Sequence, residues 1–521
     1  VSADTGLTKH SGRQWDVVRE RHGPGAILHI GDDAHADLHT PASRGIDALP
    51  YLRARSARRT GARLDPAIIP FSLLRRDTVL RARAVLPTPD APPPADAAWW
   101  RDAGRVLGGI VLSAFIRWLE ARVRHHRIEA LHFLARDGFL LHRAWEASGA
   151  AARTGIPGRY LHVSRRTLSL SRGVLASNPD RLDQALLSFL ASSDGTLTVS
   201  AALSRIGAAD DPELRAAAAA EFGDPSTRLA WPDGTGRLER LLSRHAGTIH
   251  RRLAGGHALL VRYLRHEGLA AERGRIGIVD LGWHAGMQRS LRAVLEAERG
   301  EPASLHGFYY GLWPGALPNL WDAGPAEAAF CGPFRAAGPE RGLSEAVEML
   351  EELHTAPHGT VRGYREQDGN VVPVHADSPV ERDQYDRITA PFQDGALDTL
   401  RRLFTGEAVA GIALDDLSPA AALAALSCVT LSPDPAELRA FGNIRHAATF
   451  DHDRFAALIP AGEIPDAEDD RRAALGACGW RFGTLSAWVD RAPPEARAAL
   501  RAWSSFMLGP SFDPRCKRRF D

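Results

Sequence analysis

Apolar positions along the chain follow two rhythms. Short dense runs have the look of strands buried on both faces: Ala130 to Leu134, Tyr160 to Val163, Ile276 to Val279 and Leu305 to Trp313. Between them, apolar residues recur at helical spacing. The stretch WWRDAGRVLGGIVLSAFIRWLEARVRHH predicts a long amphipathic helix, with Val106 to Leu119 in the core. After the strand at Ile276 comes an acid, Asp280, then a glycine-punctuated turn from Gly282 to Gly286, then a helix facing inward through Met287, Leu291, Val294 and Leu295. From about Asn178 to Glu267 the chain is rich in Ala and Leu at helical spacing, which predicts an inserted helical subdomain. From Glu381 onward it reads as mostly helical.

Strands that alternate with helices, and end in polar or glycine-rich loops, predict an α/β fold with a parallel sheet. Ligands of such sheets bind at the carboxyl ends of the strands. The segments ARDG (Ala135–Gly138), VSRR (Val163–Arg166) and DLGWHAG (Asp280–Gly286) are therefore expected to line one crevice. Leu86 to Ala97 holds five prolines and no helical period, which predicts a semi-rigid linker. The resulting division is residues 1–86, a linker at 87–97, an α/β unit at 98–380 with an insertion at 178–267, and a helical region at 381–521.

Charge and cysteines narrow the classes. The formal charge of the 521 residues is +1, which argues against a nucleic-acid protein held by bulk charge. The four cysteines, Cys331, Cys428, Cys478 and Cys516, are far apart and form no CxxC, as expected of a protein in a reducing cytoplasm. No apolar run reaches the roughly 18 residues of a membrane span. The chain opens abruptly at Val1, in what reads as the middle of a domain, so a preceding segment is expected.

Two constellations carry chemistry. In the first, a strand ends in Gly31-Asp32-Asp33, with Asp37 shortly after and Lys9 upstream. Clustered carboxylates suit a hard cation such as Mg²⁺, and the lysine suits a phosphate. This pattern resembles the haloacid dehalogenase-like phosphatases. The resemblance implies metal-site roles for Asp32, Asp33 and Asp37 and a phosphate-steadying role for Lys9. That family also needs a DxD nucleophile near its N-terminus. Nothing of the kind lies in the first residues here, and Asp451-His452-Asp453 lacks the preceding apolar strand.

In the second constellation, Gly282 and Gly286 suit a phosphate loop at a helix start, with Gln288 as a further donor. Asp280 suits ribose hydroxyls. Arg136 and Gly138, with Arg165 and Arg166, suit a diphosphate. The set resembles the phosphoribosyltransferase fold. Joined to the first constellation, it resembles the bacterial polysaccharide ribofuranosyltransferases. The resemblance implies Mg²⁺-assisted transfer of ribofuranose 5-phosphate from phosphoribosyl pyrophosphate to a carbohydrate, such as a lipid-linked glycan at the inner membrane face. A fused phosphatase would then remove the 5-phosphate. Asp137 is the first candidate for the base, with Glu345 and Glu348 of LSEAVEMLEEL as the other source and Glu352 near the same face. Two rivals stand beside this reading: a phosphosugar phosphatase whose C-terminal part recognises substrate, and a non-catalytic phosphosugar-binding scaffold.

Overall fold

The computed structural model describes residues 5–23, 25, 27–31, 33–50, 97–192, 197–230, 232–333, 340–409, 412–431, 433, 435–447 and 455–507. Asp32, the Pro-rich linker up to Asp96, and Asp451-His452-Asp453 lie outside them.

In the N-terminal segment, β1 (Leu28–Gly31) pairs in parallel with β2 (Asp47–Pro50). The chain between them runs through a wide helical turn, Ala34–His39, and a short helix, Thr40–Ala42.

The main unit is a mixed α/β structure around a five-stranded parallel sheet. Its strands are β3 (Ala130–Leu134), β4 (Gly158–Leu161), β5 (Ile276–Trp283), β6 (Leu305–Leu312) and β7 (Ala326–Cys331), in the order β4-β3-β5-β6-β7. Alternation along the strands feeds two cores. Leu131, Phe133, Val279, Leu281, Phe308 and Tyr310 point to one face. Leu134, Leu161, Ile276, Ile278 and Leu305 point to the other. Both faces are covered, which is why these strands read as dense apolar runs and not as half-polar ones.

Helix α1 (Gly109–His125) and helix α2 (Gly138–Ala147) supply the first core. Leu119 and Val123 of α1 are fully buried there, as its amphipathic spacing predicts. Helix α3 (Arg165–Ala176) follows β4, and helix α4 (Ala246–His266) and helix α5 (Gly286–Arg299) flank β5 in sequence; the last two give Leu260, Leu264, Leu291, Val294 and Leu295 to the second core. Strand β4 starts earlier than its sequence suggests and stops at Leu161. Its neighbour β3 ends at Leu134, opposite Leu161, so the ladder has nothing further to pair with.

Between α3 and α4 lie the helices Gln184–Leu190, Val199–Arg205, Pro212–Phe222 and Asp233–Arg244. They bury a separate cluster that includes Leu187, Leu203, Leu238 and Ile249. After the sheet come α6 (Val347–His354), a hairpin of β8 (Val361–Gln367) and β9 (Asn370–His375), and then α7 (Pro379–Gln384) and α8 (Ala390–Phe404). The C-terminal region is mostly helical. It also holds a short antiparallel pair, β10 (Arg445–Ala447) with β11 (Phe455–Ala457), which the helical reading of that region did not include. Leu397 and Leu400 of α8 and Trp480 share the first core with the sheet.

Candidate active site

The order β4-β3-β5 means that the chain leaves β3 toward one side and β5 toward the other. That reversal opens a crevice at the carboxyl ends of β3 and β5. The ARDG loop follows β3, and Asp280 lies near the carboxyl end of β5. The peptide bonds Ala135–Arg136 and Gly282–Trp283, one in each loop, are both cis.

Asp137 stands at the start of α2, where a carboxylate commonly caps the exposed N–H groups. Its side chain makes no capping hydrogen bond. Among the described residues it makes no hydrogen bond or ion pair of any kind. It is only half-buried, because it lies in the wall of an open crevice and not in the core. Removal from bulk water, then repulsion from Glu351 and Glu352, raise its carboxyl to about 7, against the opposing pull of Arg136. Asp280 is buried and accepts from the Leu281 N–H at 2.9 Å. Its carboxyl is also raised, by burial and by the neighbouring Asp137, with Arg165 opposing. The two aspartates thus lie within electrostatic reach of each other, as the loop pattern leads one to expect. Neither acts as a helix cap.

A second layer of charge surrounds Asp137. Helix α6 contributes Glu348, Glu351 and Glu352, and β10 contributes His446. His446 Nδ1 is 2.9 Å from Glu352 Oε1. Burial disfavours the imidazolium, but the hydrogen bond to Glu352 and the charges of Glu352, Glu351 and Glu348 outweigh it and raise the group to about 9. Gln384 donates to Glu352 Oε2 at 2.9 Å, and Trp283 Nε1 donates to Glu351 Oε1 at 3.0 Å. Arg136 donates to Glu381 of α7 at 2.7 Å. Arg136, Glu352, Glu381 and Gln384 are among the residues lining a cavity of about 340 Å³, at the lower end of the roughly 300–1,000 Å³ typical of small-molecule sites. Sequence reading passed over Glu351, Glu381, Gln384 and His446, which meet Asp137 and Arg136 only through the tertiary fold.

Two arginines face each other where α3 packs on α5. Arg172 is half-buried and has no hydrogen bond or ion pair among the described residues. Burial and the nearby Arg289 lower its pKa from the ordinary value, with Asp183 and Asp322 opposing. Arg289 is in the first turns of α5 and donates to Asn319 at 2.7 Å. Arg289 also pairs with Asp322 at 3.5 Å, so of the two guanidinium groups Arg172 is the one without a partner among the described residues.

The glycines of the loop differ in purpose. Gly282 has φ of +140°, and a Cβ there would lie 2.1 Å from the Gly311 carbonyl oxygen, so close packing on β6 demands it. At Gly286 the nearest atom to such a Cβ is 4.0 Å away, which leaves open space at the start of α5.

Several expected site residues have other work. Gln288 is fully buried and gives its amide hydrogens to the carbonyls of Ala323 and Pro325, both at 3.1 Å, while its oxygen accepts from Tyr309 at 2.8 Å. Nothing of its amide is left for a ligand, which corrects the donor role expected for it. Arg166 binds the backbone carbonyls of Ser204 and Arg205 and so ties the helical insertion to α3. Glu345 forms a fully buried bidentate pair with Arg481, at 2.7 and 2.9 Å. Its neighbour Glu348 is the one whose charge reaches His446. Arg165 is exposed at the first turn of α3, and Gly138 packs against the Phe133 backbone.

In the N-terminal segment, Lys9 and Asp37 do meet, at 2.6 Å. Asp37 also takes His29 at 2.9 Å and the Asp33 N–H at 3.1 Å. Burial opposes its charge, but Lys9, His29 and that N–H hold its carboxyl far below the usual range. Asp33 Oδ1 accepts from the N–H groups of His35 and Ala36 and caps the turn. Both oxygens of Asp37 are thereby engaged, so the described carboxylates do not form an open ring of oxygens for Mg²⁺.

No protein-family model matches this chain, and no curated protein matches it. Among the described residues, no helix is long and apolar enough to cross a membrane.

Proposed function

We propose that this protein transfers ribofuranose 5-phosphate from phosphoribosyl pyrophosphate to a glycan hydroxyl and releases diphosphate. One observation carries the reading. Asp137 is a carboxylate without a hydrogen-bond or ion-pair partner among the described residues, raised to about 7, beside Asp280 in the crevice at the sheet's reversal point. A base of that strength is matched to neutral pH.

The donor's 5-phosphate is assigned to Arg172, Arg289 and the open start of α5. Asp280 takes the ribose hydroxyls, and Arg136 and Arg165 take the diphosphate. The acceptor sugar is assigned to the cavity lined by Glu352, Glu381 and Gln384, whose polar groups suit hydroxyls. In the reaction, the acceptor oxygen bonds to the anomeric carbon as the bond from that carbon to diphosphate breaks. Asp137 receives the acceptor's hydroxyl proton, and diphosphate leaves with the electron pair. Asp137, Asp280 and Glu351 are not among the described groups whose ligand atoms come close enough to share one ion, so no protein-held Mg²⁺ is assigned to the crevice. The phosphoribosyltransferase-like character of the sheet is part of this proposal. So is a haloacid dehalogenase-like origin for the N-terminal segment, which the Lys9–Asp37 pair supports.

Diphosphate release from phosphoribosyl pyrophosphate, with a panel of glycan acceptors, tests the reading. Release that depends on acceptor, and falls about 10²- to 10⁴-fold in Asp137→Asn, is expected. Phosphate release without diphosphate would favour the phosphatase instead.

A further inference from the structure

We propose that His162, His358 and His375 form a binding site for one transition-metal dication, zinc foremost, at the edge of the same cavity. Their candidate ligand atoms all lie within 4.8 Å of one another. Three separate parts of the fold bring them together: the turn after β4, the loop before β8 and the last residue of β9. The β8–β9 hairpin does most of this, because its register sets His375 opposite Val361, just past His358.

The spacing suits a small cation. His162 Nδ1 and His375 Nε2 are 3.2 Å apart. In a tetrahedral zinc site with Zn–N bonds of about 2.0–2.1 Å, neighbouring nitrogens are separated by about 3.3–3.4 Å. His358 Nδ1 is 2.9 Å from the Gly359 carbonyl and donates to it. That bond fixes the tautomer and leaves the lone pair on Nε2, the arrangement that orients metal-binding imidazoles. The Tyr160 hydroxyl, 3.0 Å away, takes that lone pair here, and a cation would displace it. His162 is anchored through its backbone, its N–H donating to Tyr263 at 2.9 Å and its carbonyl accepting from Tyr364 at 2.8 Å.

Three imidazoles select zinc or a similar dication over Mg²⁺, which prefers oxygen. His358 and His375 also line the cavity, so a fourth position is open there to water or a ligand oxygen. A second cluster, His126, His306 and Glu327, has comparable spacing. There Arg122 donates to both oxygens of Glu327, at 2.5 and 2.7 Å, and a guanidinium already supplies the positive charge. Among the described residues no guanidinium hydrogen-bonds to the three histidines, and their site does not depend on the transferase reading.

The test uses the full chain, stripped with chelator and titrated with Co²⁺ as a spectroscopic stand-in for zinc. The expected result is one Co²⁺ per chain with the visible absorption of a tetrahedral site. Zn²⁺ should displace it and should raise the thermal midpoint of the wild-type protein. His358→Ala and His375→Ala, checked for folding by circular dichroism, should each lose the spectrum, and His306→Asn should keep it. The proposal is overturned if the folded wild-type protein shows neither the spectrum nor the thermal shift. It is equally overturned if the spectrum survives both variants or disappears in His306→Asn.

Discussion

At the scale of single residues, the crevice holds a carboxyl group that costs stability at neutral pH. The Asp137 carboxyl is raised from 3.8 to about 7, so above pH 3.8 an unfolded chain ionises it while the fold still holds the proton. Stability is therefore lost as pH rises from about 3.8 to about 7 and the deficit stays constant above that. His446 runs the same way over a higher window. Raised from 6.5 to about 9, it contributes stability that is fully present below 6.5 and lost as pH climbs through 9. Urea midpoints measured across pH should show both slopes. Asp137→Asn should flatten the lower one and be more stable than wild type at pH 8, and His446→Gln should flatten the upper one. A less stable Asp137→Asn would mean that the carboxylate has a structural partner after all. Transfer activity should rise through pH 7 as Asp137 ionises, as initial rates on either side of that pH will show. Asp137 was legible in the sequence, because an acid just past a buried strand and before a helix is a local pattern. His446 was not. Its role comes from three glutamates of a helix far away in the chain, and no spacing in the sequence encodes that meeting.

At the scale of elements, local chemistry accounts for much of what forms. The strand Ala130–Leu134 and the inward face of α5 follow directly from apolar period. The hairpin of β8 and β9 was equally available: Asp368 and Gly369, both at positive φ, form a two-residue turn of the kind that Asp-Gly favours. The flanking residues hid it, since Arg362, Arg365 and Glu366 make β8 look like a charged loop. The acids of LSEAVEMLEEL show the limit of helical periodicity. Glu345 precedes α6 and is consumed by Arg481, whereas Glu351, off the expected face, reaches the crevice. Removing one member of such a buried pair takes the bidentate charge contact from the other, so Glu345→Gln should cost about 3–5 kcal/mol in urea unfolding. A much smaller loss would show that water reaches Arg481. Gly282→Ala meets both a backbone oxygen and a disfavoured φ, and a loss on the order of 2–4 kcal/mol is expected from the same measurement.

At the scale of the whole molecule, the crevice follows from strand order, which the sequence did not reveal. Alternating strands and helices gave a parallel sheet, but the placement of β3 between β4 and β5 comes from long-range pairing. That placement alone makes Asp137 and Asp280 neighbours. The four helices between α3 and α4 share an apolar cluster with the facing ends of those two helices. The amides of the four helices should open as a cooperative unit in native-state hydrogen exchange, at lower free energy than those of β3, β5 and β6. Opening of both regions together would mean that the insertion is part of the sheet's own folding unit. The central claim is that the crevice between β3 and β5 holds a ribosyl donor bearing two phosphate groups. Calorimetric titration of phosphoribosyl pyrophosphate with Mg²⁺ addresses it most directly, on the wild-type protein and on Arg172→Ala and Asp280→Asn. Saturable binding of one donor per chain, weakened in both variants, is what this account requires. A folded wild-type protein that takes up no donor, or variants that bind it as well as wild type, would contradict it.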